Sequence, residues 1–173
     1  MWVQCSDNAA QVAALVQAVS QPLAAALDAD GGAVLAVSGG RSPVPLFHAL
    51  READLDWSRV LITLVDERCV APDHADSNER LVREHLLAGR AAAARLAGLV
   101  RDPADIAGSV ATANAAARPI TVALLGMGED GHTASLFPGA PELAAGLDPA
   151  NPARYLAVTP PSAPHARISL TLA

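Results

Sequence analysis

The stretch GMGEDGHTASLFPG, residues 126–139, concentrates the groups best suited to chemistry in this 173-residue chain. Asp130 and His132 are separated only by Gly131. Glycine lets the backbone turn sharply, so the carboxylate and the imidazole can project into one crevice, where the aspartate fixes the ring and favours its protonated form. That pairing makes a general base; a histidine that merely hydrogen-bonds at a helix start is the plainer alternative. Thr133 and Ser135 are expected to open a helix whose N-terminal amides face the same crevice. The stretch also spells GxGxxG through Gly126, Gly128 and Gly131. A dinucleotide site needs free amides for a pyrophosphate and an acid about 20 residues later for the ribose. Here Glu129 and Asp130 would set carboxylates against the phosphates, and the motif falls late in the chain. The dinucleotide reading is therefore set aside.

Two further groupings could join this one. In SGGRSP, Gly39 and Gly40 precede Arg41, with Ser42 as a cap before Pro43. Bare amides at a helix start beside an arginine make a phosphate site without a Walker lysine, although an ordinary strand-to-helix turn has the same residues. In VDER, strand alternation sends Asp66 and Arg68 the same way, which places an acid and a cation on one rim unless the segment is simply a solvated strand end. His74 between aspartates reads as a solvent-exposed loop residue, and His48 and His85 fall on predicted helices as structural residues. Cys69 adjoins the candidate site but lacks an evident base, so it reads as a partly buried thiol. No metal site is expected.

The elements that must carry these groups follow from periodicity. Val12, Leu15, Val16, Val19, Leu23 and Leu27 recur at helical steps after Ser6, Asp7 and Asn8, with Pro22 predicting a kink or break. AVLAVSGG reads as a buried strand entering a turn, and Pro43 as the first turn of a helix through Leu46, Phe47 and Leu50. VLITLVDER reads as a second strand, followed by a helix from Ser77 or Asn78 closed by Gly89. The alanine-rich span 91–117 predicts weak helices broken at Pro103 and Gly108. ITVALLGMG, YLAVTP and ARISLTLA are three more strands. Strands alternating with helices predict an α/β fold, a Rossmann-like, mostly parallel sheet covered on both faces, with ligands beyond the strands' carboxyl ends. Residues 1–173 are read as one domain.

Composition narrows the function. Hydrophobic residues make up 51% and charged residues 17%, which suits a chain that buries a core. A net charge of -6 argues against a broad footprint for nucleic acid or an anionic membrane, so an anionic ligand must meet local arginines. The two cysteines, Cys5 and Cys69, make no disulfide framework. With no basic, apolar leader at the N-terminus and no uninterrupted apolar run of roughly 18 residues, the expected setting is the cytoplasm.

Taken together, LAVSGGRSPVPLFHAL, DWSRVLITLVDERCVAPDHADSNERLVREHLL, LLGMGEDGHTASLFPG and HARISLT resemble the 6-phosphogluconolactonases of the wider glucosamine-6-phosphate isomerase/lactonase family. The resemblance implies a cytoplasmic, metal-independent hydrolase that opens 6-phospho-D-glucono-1,5-lactone in the oxidative pentose phosphate pathway; no cofactor is expected, and a monomer is expected unless truncation leads to self-association. It makes His132 the base that deprotonates water, Asp130 its orienting partner and Arg68 the stabiliser of the oxyanion. Gly39, Gly40, Arg41 and Ser42 become the phosphate loop, Asp66 a substrate contact, and Arg167 a basic ligand contact. Deaminase/isomerase members carry a glutamate shortly after this histidine; Phe137 stands there instead, which favours hydrolysis. A sugar-phosphate-binding module without catalysis is the other alternative. Family members usually continue past the RISLT strand with another strand and helices. The expectation is a chain lacking them, with an open sheet edge prone to self-association.

Overall fold

A computed structural model describes residues 3–161 and 163–173. Helix α1 (Asn8–Asp30) starts where the Asp7 side chain accepts from the Ala10 amide at 2.8 Å, and it stops at Gly31 in the left-handed conformation. It continues as one helix through Pro22, so the break that was one of the two expected outcomes does not occur. By length and composition alone α1 could serve as a membrane span, yet its Val19, Leu23 and Leu27 stripe is packed into the core.

Strand β1 (Ala33–Val37) is buried along its whole length, as its run of apolar residues predicts. Helix α2 (Val44–Leu50) follows, but Ser42 does not cap it; Pro43 holds the cap position and no side chain bonds there. VLITLVDER is not a single strand. It divides into β2 (Val60–Leu64) and β3 (Asp66–Arg68), which belong to different sheets. Val65 is the hinge: its amide donates to the Val37 carbonyl at 3.0 Å, while its own carbonyl accepts from the Leu170 amide at 2.7 Å.

Helix α3 (Asn78–His85) is capped by the Ser77 hydroxyl and ends at Leu86, short of the Gly89 stop expected from sequence. The alanine-rich span hides a strand, β4 (Arg95–Ala97), and then forms α4 (Ile106–Ala116) straight through Gly108. Gly108 does not break the helix because its amide is taken by the Asp105 cap at 2.8 Å. Strand β5 (Val122–Leu124), the short α5 (Leu143–Leu147), β6 (Tyr155–Val158) and β7 (Arg167–Leu170) complete the order.

One sheet, ordered β4-β2-β1-β5, is parallel throughout. The other, β3-β7-β6, is antiparallel, so the last two strands do not extend the parallel sheet as the sequence suggested. The sheets are tied by Tyr155, whose hydroxyl donates to the Leu64 carbonyl at 3.3 Å. Trp57, Phe47, Leu35, Ile62 and Ile168 fill one main core.

Between the sheets and α3 lies Glu67, only 2% exposed. Its carboxylate accepts from the Ser77 hydroxyl and from the amides of Arg68, Asn78 and Glu79, at 2.7–3.0 Å. Two of those amides are orphan donors at the first turn of α3, where a carboxylate is favoured by the helix dipole. Burial still pushes the carboxyl upward, and the amide donors pull it back. Replacing Glu67 with Ala would strand these donors without water. Glu67→Ala should lose about 2–4 kcal/mol of stability in chemical denaturation, whereas a loss under about 0.5 would show that the helix end does not depend on it.

Candidate active site

A cavity of about 620 Å³ opens at the carboxyl ends of β1, β2 and β5. The end of β1 supplies Ser38, Gly39 and Ser42; β3 supplies Asp66 and Arg68; α3 supplies Asn78; the loop after β5 supplies Gly126, Gly128 and His132. The imidazole and the Arg68 guanidinium therefore share one chamber, which is where ligands collect in parallel α/β sheets.

His132 is set by its neighbours. Nδ1 lies 2.5 Å from Asp130 Oδ1, and the His132 amide donates to the same oxygen at 3.1 Å. This holds the Asp130 carboxyl below its ordinary range, the side-chain bond to His132 being the largest cause. With Nδ1–H donated to an ionised carboxylate, Nε2 is left as the lone-pair nitrogen. The Phe137 ring lies against the imidazole, centroids 4.2 Å apart. The turn is tight: a Cβ on Gly128 would fall 2.2 Å from His132 Cε1 and 2.3 Å from Nδ1, so glycine is required for the ring to sit there. Gly131 takes a φ of +84°. The glycines of GxGxxG thus shape a turn around a histidine, and no helix begins at Thr133 or Ser135.

Ser135 instead is fully buried and docks this loop onto the second sheet. Its hydroxyl donates to Asp66 Oδ2 at 2.6 Å, and its amide donates to Ser169 Oγ at 3.1 Å. Asp66 and Arg68 share one face of β3, as alternation predicts, with Ser169 and Arg167 directly opposite on β7. Asp66 touches the cavity but is 9% exposed and already engaged by Ser135. Burial pushes its carboxyl above the ordinary range, against the pull of Ser135 and then Arg68. Arg68 donates through Nη1 to the Asp76 carbonyl. Arg167, 6% exposed, stands opposite Arg68 on β7 and is not part of the cavity wall. Burial, and next the charge of Arg68, lower its basicity.

The glycine loop divides. Gly39 and Ser42 line the cavity; Gly40 and the exposed Arg41 lie outside its wall. Gly39 is needed for packing, because a Cβ there would meet the Asn78 side chain at 1.8 Å. Asn78 was read only as a helix start, yet it lines the cavity and its Nδ2 donates to the Asp66 carbonyl at 2.9 Å. Ser38, at the polar end of β1, also lines the cavity. Its hydroxyl donates to the Leu124 carbonyl at 2.7 Å and accepts from the Gly126 amide at 3.2 Å, joining the ends of β1 and β5. Its position as the first polar residue after a buried strand is the signal in the sequence. His74 packs edge-on against His165, which bonds Asp76 at 3.1 Å, so it is less isolated than its loop suggested. Cys69 is half-buried with its thiol pushed up by burial.

The fold and site define an α/β enzyme whose cavity opens at the carboxyl end of a parallel sheet. The chain belongs to the glucosamine-6-phosphate isomerases/6-phosphogluconolactonase family, which matches residues 6–173. It is 46% identical to a 6-phosphogluconolactonase of Pseudomonas putida, covering 97% of this chain and 71% of that protein. A Pseudomonas aeruginosa 6-phosphogluconolactonase is 47% identical, over 98% of this chain and 72% of the relative. Among solved structures, a 6-phosphogluconolactonase from Shewanella baltica superposes with a TM-score of 0.88 at 42% identity, covering 96% of this chain and 72% of that one.

The raised Asp66 carboxyl has a consequence for stability. Its favourable contribution is fully present below the ordinary aspartate value of about 3.9 and is lost as the pH rises through the elevated folded value. Between pH ~4 and ~8 the wild-type chain should therefore lose more stability than Asp66→Asn, which cannot ionise. Denaturant melts across that range measure the two slopes; parallel slopes would contradict an elevated Asp66.

Proposed function

We propose that this chain hydrolyses 6-phospho-D-glucono-1,5-lactone to 6-phosphogluconate through water activated by His132. The observation that carries the reading is the Asp130–His132 pair facing the same cavity as Arg68, in a chain so similar to 6-phosphogluconolactonases. A lactone is an activated ester, so a base and a cation for the developing oxyanion suffice without a covalent nucleophile.

In this reading His132 Nε2 takes a proton as the water oxygen bonds to the lactone carbonyl carbon. Arg68 faces the carbonyl oxygen as it gains charge. Collapse of the adduct breaks the bond to the ring oxygen, which receives the proton back from the imidazolium. Asp130 holds the ring and stabilises its charged form. Asp66 serves to position the His132 loop through Ser135 more than to contact substrate. The amide of Gly39, the Ser42 hydroxyl and the exposed Arg41 at the lip receive the phosphate, while Arg167 adds positive potential opposite Arg68. Phe137 on the imidazole offers no second acid–base group of the kind isomerisation needs. The free thiols Cys5 and Cys69 suit a cytoplasmic enzyme.

His132→Ala should lower kcat by about 10²–10⁴-fold while 6-phosphogluconate still binds. Retained turnover in that variant would defeat the assignment. Binding of the product by the wild-type chain without accelerated lactone opening would identify a binding module instead, and ammonia release from glucosamine 6-phosphate would point to the deaminase branch.

Gly128→Ala tests the turn in a different way. The added methyl must displace the imidazole, so kcat should fall at least ~10-fold with KM nearly unchanged. A pure KM effect would mean that the glycine serves ligand approach and not the ring.

A further inference from the structure

On the flank of the cavity, away from His132, α2 and α3 pack against each other and present a pair of histidines. His48 Nε2 lies 3.0 Å from His85 Nδ1, with ring centroids 5.1 Å apart and planes tilted by 50°. His48 is exposed and His85 half-exposed, so the pair is open to solvent. Nothing in the proposed hydrolysis uses it. We propose that His48 and His85 form a two-imidazole site for a divalent late transition metal of the Cu²⁺ or Ni²⁺ class.

The spacing of the two nitrogens suits a single ion. Imidazole nitrogens bind such metals at about 2.0–2.1 Å, so two of them at a right angle around one ion sit about 2.9 Å apart, and at a tetrahedral angle about 3.4 Å. The observed 3.0 Å matches the right-angled, square-planar or octahedral arrangement that Cu²⁺ and Ni²⁺ prefer, better than the tetrahedral one of Zn²⁺. The two nitrogens already face each other across a gap spanned by one hydrogen bond. Replacing that bridging proton with a metal requires each ring to swing by roughly 45°, so that its lone pair leaves the line between the nitrogens and points to a shared vertex. Among the described residues no group of three or more histidine, cysteine or acidic side chains forms a ligand set, so water completes the coordination. The Arg51 guanidinium is directed to the His85 carbonyl at 3.4 Å and to Glu52, which leaves the imidazoles unobstructed by it.

The site would clip together two helices that each follow a wall of the cavity. α2 continues from the Gly39–Ser42 loop, and α3, which begins at Asn78, follows the strand holding Asp66 and Arg68. A ligand that binds the folded chain alone stabilises it by mass action. At 100-fold over half-saturation, Ni²⁺ should raise the unfolding midpoint of the full chain by about 5–10 °C. One equivalent of Cu²⁺ should give an electron paramagnetic resonance spectrum with hyperfine structure from two nitrogens. Both signatures should vanish in His48→Gln and in His85→Gln and persist in His74→Gln, which removes a member of the other histidine pair. No rise in midpoint with Ni²⁺, a rise that survives in both His48→Gln and His85→Gln, or its loss in His74→Gln would overturn the assignment. These readouts do not depend on lactone hydrolysis, so they stand or fall apart from the proposed activity.

Discussion

The hydrogen bond between the Ser135 hydroxyl and the buried Asp66 carboxylate is the constraint on which the site depends. It joins residues 69 positions apart and locks the loop carrying His132 to the strand carrying Arg68. A carboxylate so deeply buried is costly unless its oxygens are paired. Asp66 has the serine on one oxygen and the Asn78 amide, at 3.5 Å, on the other. That cost also makes the geometry specific, since few other placements of the loop would satisfy the charge.

The neighbouring residue works on the opposite face of the same short strand. Alternation sends Glu67 away from Asp66 and Arg68, into the first turn of α3, where it gathers amides that have no helical partner. Three consecutive residues thus divide between two structural tasks and the wall of the cavity. Asp66 holds the histidine loop, Glu67 holds the helix, and Arg68 is left to face the cavity. Opposing Arg167 and Arg68 on adjacent strands is unfavourable for like charges. The buried acids beside them offset part of that repulsion.

The glycine-rich turn shows how a familiar pattern can carry a different physical meaning. Gly128 is small because the imidazole occupies the space a side chain would need, and Gly131 lets the chain reverse between the aspartate and the histidine. The Phe137 ring packs against the imidazole. The imidazole is therefore confined by a missing side chain, a carboxylate and an aromatic face. No helix dipole acts there, contrary to what the Thr133 and Ser135 hydroxyls suggested in the sequence.

Read alone, the residues determined the buried strand Ala33–Val37, the strand character of VLITLVDER though not its division, the Asp130–His132 pairing and the shared face of Asp66 and Arg68. Each of these follows from local spacing, where apolar runs and alternation act directly. Only the tertiary structure decided that the chain changes sheets at Val65, that the last strands run antiparallel, and that Ser135 anchors a loop. It also decided that Arg167 and Gly40 stand outside the cavity while Ser38 and Asn78 enter it. Those outcomes depend on which distant partner satisfies a buried polar group, as Leu170 does for Val65 and Asp66 for Ser135. Local sequence spacing does not encode the identity of such a partner; burial does, because an unpaired polar group in the interior has no water to turn to.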